Sequence, residues 1–201
     1  DNGASWGPSP QLLTDGIYSV VLRTRDLAGN STTESRLIKV DTMAPSFSTS
    51  HNGTPGTAGW YTSDVTINHT YADNLSGLTL SLMNVNSGGW QPITDQTFSD
   101  GIYSIEYALA DEAGNQTYFI ETLRVDTIPP AYTITVPTAS GNNGWHRTQP
   151  TIQISGTDSG SGLQAAEISL DSGATWIPTK TTLSDGTYDV TFRVTDVVGN
   201  Q

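Results

Sequence analysis

The chain repeats itself every 85 residues, and that period constrains its fold more than any other property. Asp15-Gly16-Ile17-Tyr18 returns as Asp100-Gly101-Ile102-Tyr103 and again as Asp185-Gly186-Thr187-Tyr188. Asp26-Leu27-Ala28-Gly29-Asn30 returns at 111–115 and at 196–200, and Val40-Asp41-Thr42-Met43-Ala44-Pro45 returns as Val125-Asp126-Thr127-Ile128-Pro129-Pro130. Gly59-Trp60 answers to Gly144-Trp145, and Asp73-Asn74-Leu75-Ser76-Gly77-Leu78 to Asp158-Ser159-Gly160-Ser161-Gly162-Leu163. Self-similarity at a fixed step marks copies of one structural unit. With the Asp-Thr-x-x-Pro segment as the joint, residues 1–44 are expected to form the C-terminal half of a repeat and 45–129 a complete one. Residues 130–201 form a third repeat that lacks its last strand, since the counterpart of Gln116–Val125 would run on past Gln201.

Within each copy the hydrophobic pattern alternates with a period of two. Thr187–Thr195 places Tyr188, Val190, Phe192 and Val194 on one side and Asp189, Thr191 and Arg193 on the other, and Tyr18, Val20, Leu22 and Tyr103, Ile105, Tyr107, Leu109 keep the same series. That alternation predicts a half-buried antiparallel strand. Val65–His69 and Ile152–Ile154 alternate in the same way, as do Leu78–Leu82 and Ala166–Leu170, and Thr117–Val125 follows as a further strand. No helical period appears, and 20 Gly and 10 Pro supply the turns between short strands. The predicted fold class is all-β.

Asp-Gly-x-Tyr-x-Val resembles the start of the sixth strand of immunoglobulin-like domains, where a tyrosine folds back to bond the backbone in a tyrosine corner. On that likeness Tyr18, Tyr103 and Tyr188 are structural, and Tyr103 and Tyr188 are expected to be buried with their hydroxyls on backbone. With Val20, Ile105 and Val190 in the place of the core cysteine, the chain resembles the disulfide-free bacterial Ig-like repeats of large surface or secreted proteins. The resemblance covers nearly all 201 residues and implies tandem immunoglobulin-like β-sandwiches that serve display, spacing or adhesion.

Composition narrows the function. With 8 basic against 20 acidic residues the net charge is -12, which disfavours a nucleic-acid partner. No apolar run is long enough to span a membrane, and the absence of cysteine rules out disulfides, thiolate metal sites and thiol catalysis. His51, His69 and His146 do not recur at the repeat step, and no nucleophile, phosphate-loop or two-histidine motif is present. An enzyme is not expected. Lys39 and Lys180 answer to Arg124 and Asp95 one period away, so a repeated isopeptide crosslink is untenable.

The aspartates carry the sharpest chemistry. In an Ig-like sandwich the loops after the second and sixth strands meet the incoming chain at one pole. The resemblance therefore implies that Asp41, Asp73, Asp111 and Asn115 converge at one joint, and Asp126, Asp158, Asp196 and Asn200 at the next. Clustered carboxylate and carbonyl oxygens are what calcium requires. The other reading is that Asp26, Asp111 and Asp196 accept bonds from turn amides while Gly29, Gly114 and Gly199 take positive φ. No cofactor is required on that second reading; calcium is the metal expected on the first.

Five tryptophans raise a glycan-stacking reading, for which Trp6, Trp90 and Trp176, each after a glycine turn, are the candidates; the leading expectation for all five, Trp60 and Trp145 included, is packing over loop ends. The leading expectation is a structural, adhesive rod, outside the cell or on its surface, whose partners are neighbouring repeats or identical chains in a fibre. The alternative is a carbohydrate-binding or accessory module of a secreted enzyme.

Overall fold

A computed structural model describes Gly7 and residues 12–201. Among the described residues it is all-β, with a single 3-10 turn at Asn142–Gly144 and no helix long and apolar enough to cross a membrane. The strands are β1 (Gly16–Arg25), β2 (Ser31–Val40), β3 (Ser46–Asn52), β4 (Val65–Ala72), β5 (Leu78–Val85), β6 (Gln91–Pro92), β7 (Gln96–Phe98), β8 (Gly101–Asp111), β9 (Gln116–Val125), β10 (Ala131–Thr135), β11 (Thr151–Thr157), β12 (Leu163–Ser169), β13 (Lys180–Thr182) and β14 (Thr191–Asp196). They form several small antiparallel sheets: β1-β2, β3-β4-β7, β6-β5-β8-β9, β10-β11-β13 and β12-β14.

Two compact units make up the chain, and residues of the 45–129 repeat belong to both. The first holds the described residues through Thr49 together with 69–93 and 105–121. Its centre is Met83, Ile105, Tyr107 and Leu109, all buried, with Phe47 stacked 4.6 Å from the Tyr107 ring. The Tyr107 hydroxyl donates to Glu121 at 2.8 Å and meets His69 Nε2 at 3.2 Å. Burial first, and the Glu121 carboxylate second, push that phenol well above its ordinary value. His69 is thus one member of a satisfied polar network inside an aromatic cluster.

The second unit holds 50–68, 94–104 and 122–201. One core there joins Ile152, Ile154, Ala166, Ile168, Leu183 and Val194, with Phe192, Val190 and Tyr188 half-buried against it. Val65, Ile67, Phe98, Leu123 and Val125 are also buried. Alternation of apolar residues accounts for β4 and β11, in which side chains on one face are buried and the others exposed or partly so; β12 follows it up to Ile168, and Ser169 on the other face is buried as well.

The ladder in β14 begins only at Thr191, although the alternation that predicts a strand starts at Thr187. β1 shows the reason. Its first four residues, Gly16–Ser19, pair with Leu37–Val40 of the following strand. Thr187–Val190 have no such neighbour among the described residues, and alternation without a neighbour makes no ladder.

Paired registers carry an irregularity at the same repeat position. In β5–β8 it falls between Leu78 and Leu80, opposite Asp111 and Ala110; in β12–β14 it falls between Leu163 and Ala165, opposite Asp196 and Thr195. A bulge re-aims the residues beside it, and here those residues are aspartates.

Candidate metal centres

The aspartates of the two expected joints stand at strand ends. Asp41, Asp73, Asp126 and Asp158 each come immediately after β2, β4, β9 and β11, while Asp111 and Asp196 close β8 and β14. One ligand oxygen from each of Asp41, Asp73 and Asp111 lies within 4.8 Å of the others, and the same holds for Asp126, Asp158 and Asp196. The first triad lies within the first unit and the second within the second.

The two sets are built alike. Asp41 Oδ2 accepts the Ser76 amide at 2.9 Å, and Asp126 Oδ2 the Ser161 amide at 2.6 Å. Asp73 Oδ2 accepts Gly77 N at 2.7 Å, and Asp158 Oδ2 accepts Gly162 N at 2.6 Å. Asp111 Oδ1 takes the Asn115 amide at 2.8 Å, and Asp196 Oδ1 the Asn200 amide at 2.9 Å. Gly114 and Gly199 close these turns at φ of 94° and 104°, the left-handed region where a Cβ is strained. Ser76 above all, and also the Met43 amide, hold the Asp41 carboxyl below the ordinary carboxylate value.

Asn115 and Asn200 reach both clusters, but with their NH2 groups turned inward. Asn115 Nδ2 donates to Asp111 Oδ2 at 2.8 Å and to the Asp41 carbonyl at 3.1 Å; Asn200 Nδ2 donates to Asp196 Oδ2 at 2.7 Å and to the Asp126 carbonyl at 3.1 Å. With acceptors on both sides of the amide nitrogen, each asparagine is a strut between two aspartates. Asp26 and Asn30 make the same turn, at 2.8 and 2.7 Å. They do so outside either triad, so the turn forms without a cluster around it.

The donor set fits a hard divalent cation. Each triad gathers three carboxylates, and Asp111, Asp126 and Asp196 are almost completely buried. Asp73 Oδ1 is itself buried and has no hydrogen-bond partner. A buried carboxylate oxygen without a partner is costly in an all-protein setting and suits a cation. Oxygen-only donors favour calcium over metals that want sulfur or imidazole. Both triads can therefore hold a metal ion such as calcium. A cleft of about 520 Å³ lined by Asp41, Ser76, Lys39 and Glu112 gives solvent a path to the first.

The aromatic candidates separate. Trp6 lies outside the described residues. Trp90 packs edge-on to Tyr118 at 5.9 Å, and the Trp176 face is covered by the Arg193 guanidinium at 4.0 Å. Trp145, expected from its spacing to pack over a loop end, is 63% exposed and lines a cleft of about 690 Å³ with His146, Arg147 and Tyr188. Its fixed step from Trp60 gives no sign of this, because the two copies differ in what lies beside the ring.

Tyr18 and Tyr103 turn back onto the chain as corner residues do, donating to Thr14 O at 2.9 Å and Ser99 O at 3.1 Å. Tyr188 instead meets the Ser184 hydroxyl at 2.7 Å. Tyr103 and Tyr188 are half-buried rather than buried. Each ring lies over the glycine two residues earlier, where a Cβ on Gly101 would come within 3.2 Å of the Tyr103 hydroxyl.

Neither the comparison with models of known protein families nor that with curated proteins finds a match to this chain.

Proposed function

We propose that the chain is a structural, non-catalytic segment of an extracellular or cell-surface rod, built of tandem immunoglobulin-like β-sandwiches whose joints are stiffened by calcium. One observation carries this reading: the same bond set occurs twice, one period apart, and each time it fastens the joint aspartate of one repeat to two loops of the next. A single active site has no need of two copies. A stalk needs one at every joint. Beside the second set, the Thr57 hydroxyl also donates to the Val197 carbonyl, adding a further bond between successive repeats.

Asp41, Asp73 and Asp111 would hold one ion, and Asp126, Asp158 and Asp196 the other. A bound calcium offsets the mutual repulsion of three carboxylates and adds metal–oxygen bonds across the joint. The partners of such a segment are neighbouring repeats. Small-angle scattering of the full chain, with calcium and with chelator, tests the reading. A maximum dimension that shortens or broadens on chelation supports calcium-dependent stiffness; identical profiles and identical melting temperatures leave these aspartates with turn formation alone.

A further inference from the structure

The chain has two methionines, and they lie in opposite surroundings. Met83 is in β5 at the centre of the first unit and 1% exposed, whereas Met43, two residues after Asp41, is 54% exposed. That exposure belongs to the position, since Ile128, one period on and with the rest of the 45–129 repeat before it, is 56% exposed. We propose that Met43 is a modification site, oxidised to the sulfoxide by hydroperoxides, and that the sulfoxide ties the first joint to the 73–77 turn. This rests on the contact around Met43 and not on calcium or on the rod reading.

The backbone at Met43 is held on both sides. Its amide donates to Asp41 Oδ1 at 3.2 Å, and its carbonyl accepts Asn115 Nδ2 at 3.3 Å. The side chain therefore leaves from a fixed point, and it reaches a loop of the next repeat: Asn74 Nδ2 donates to Met43 Sδ at 3.8 Å. Asn74 lies inside the turn in which Asp73 Oδ2 accepts the Leu75 amide at 3.0 Å and the Gly77 amide at 2.7 Å. A thioether is a weak acceptor, so the bond from Asn74 adds little as it stands. Neither partner recurs at the second joint, where Ile128 and Ser159 occupy the two places.

Oxidation changes the acceptor. A lone pair of the Met43 sulfur attacks one oxygen of the peroxide, the O–O bond breaks as the S–O bond forms, and the other oxygen leaves, with its proton made up from solvent, as water or as an alcohol. Sulfur is oxidised by two electrons and the peroxide is reduced by two. The oxidant must reach the sulfur, so Met43 reacts and the enclosed Met83 does not. The product is polar and carries a strong acceptor oxygen, one bond length out from the atom that Asn74 already meets. In the epimer that points this oxygen at Asn74, the NH2 group gains a full hydrogen bond. Opening the 73–77 turn must then break that bond as well as those to Asp73. Methionine sulfoxide can be reduced back to the thioether, which makes the tie reversible.

The test treats the full chain, in chelator, with a small excess of hydrogen peroxide and follows it by peptide mass spectrometry and amide exchange. One oxygen atom should add at Met43 while Met83 stays unmodified. Exchange at the Leu75 and Gly77 amides should slow about three- to tenfold, the usual net effect of one added hydrogen bond. The Ser161 and Gly162 amides, at the second joint, should keep their rates. Asn74→Ala, at an exposed side chain, should still take up oxygen at Met43 yet show no slowing. Met43→Ile, which copies the second joint, should show neither. Oxidation of Met83 as fast as Met43 overturns the proposal, as does unchanged or faster exchange at Leu75 and Gly77. Slowing that survives in Asn74→Ala, or that spreads equally to Ser161 and Gly162, overturns it as well.

Discussion

The Asp100 carboxylate accepts the Thr127 amide at 2.6 Å and the Thr127 hydroxyl at 3.1 Å, and Asp15 accepts the same two groups of Thr42 at 3.0 and 2.9 Å. Two motifs that the period displays separately, Asp-Gly-x-Tyr and Val-Asp-Thr-x-x-Pro, are thus the two ends of one contact. The threonine is the residue after Asp41 or Asp126. Holding it fixes the backbone from which a cluster carboxylate projects.

Replacing Asp100 by Ala should therefore loosen the exit of β9 and destabilise its unit by about 1–2 kcal/mol, the usual cost of losing a charge-assisted bond to an amide. Asp100→Asn, which keeps an acceptor, should recover part of that. Amide exchange at Thr127 reads the effect locally; unaltered protection in Asp100→Ala would mean that the contact bears no weight.

The tyrosine corner yields an ordered pair of effects. Tyr103→Phe removes the bond to Ser99 O while keeping the ring, and should cost on the order of 0.5–1 kcal/mol. Gly101→Ala should cost more, about 1–3 kcal/mol, because φ is +148° and the new Cβ meets the Tyr103 ring. Urea denaturation of both variants checks the ranking, and a smaller loss in Gly101→Ala would contradict it.

Much of this is legible from residues alone, for a physical reason. Apolar alternation marks strands with one buried face, so β4, β8 and β11 can be read directly; β5 and β9 follow it less well, since Leu80 and the run Tyr118–Ile120 are exposed. β10 cannot, since all five of its residues are exposed and alternation has nothing to report. The grouping of the aspartates comes from the immunoglobulin-like resemblance, which implies that the loops bearing them meet at one pole; the period adds only that the group occurs twice. What lies beyond the sequence are relations across space: the reach of Asp15 to Thr42, the inward-turned NH2 of Asn115, and the exposure of Trp145. None of these leaves a signal in local spacing.

Gly160 stands against Asp126 with no room for a side chain. A Cβ there would lie 2.5 Å from Asp126 Cγ and 2.6 Å from both carboxylate oxygens, and Ser161 N at 2.6 Å holds that carboxylate in place. Gly160→Ala should cost about 1–3 kcal/mol through overpacking and should disable the second cluster while sparing the first. At the corresponding place in the first cluster stands Leu75, so Leu75→Ala should be mild there. Equal metal affinity of the second cluster in Gly160→Ala and the unaltered chain would count against this geometry.

Asp171 gives a pH prediction. The Thr175 hydroxyl at 2.6 Å, with the Thr175 amide at 2.8 Å and the Ser169 hydroxyl at 2.7 Å, lowers its carboxyl to about 2, against an ordinary 3.8. A folded value below the unfolded one stabilises the turn fully above the unfolded value, and that contribution is lost as pH falls through about 2. The 171–176 turn should hold between pH 7 and about 4 and open progressively below, seen as loss of protection at the Thr175 amide. A turn that opens near neutral pH would contradict the assignment; Asp171→Ala, which leaves no acceptor, should open it at every pH.

Calcium titration of the full chain by calorimetry measures the central claim most directly. Two equivalents should bind, with Asp111→Asn abolishing one, Asp196→Asn abolishing the other, and the double variant binding none. No binding at millimolar calcium, or binding that survives the double variant, would contradict the claim that these two triads are the metal centres of a stiffened rod.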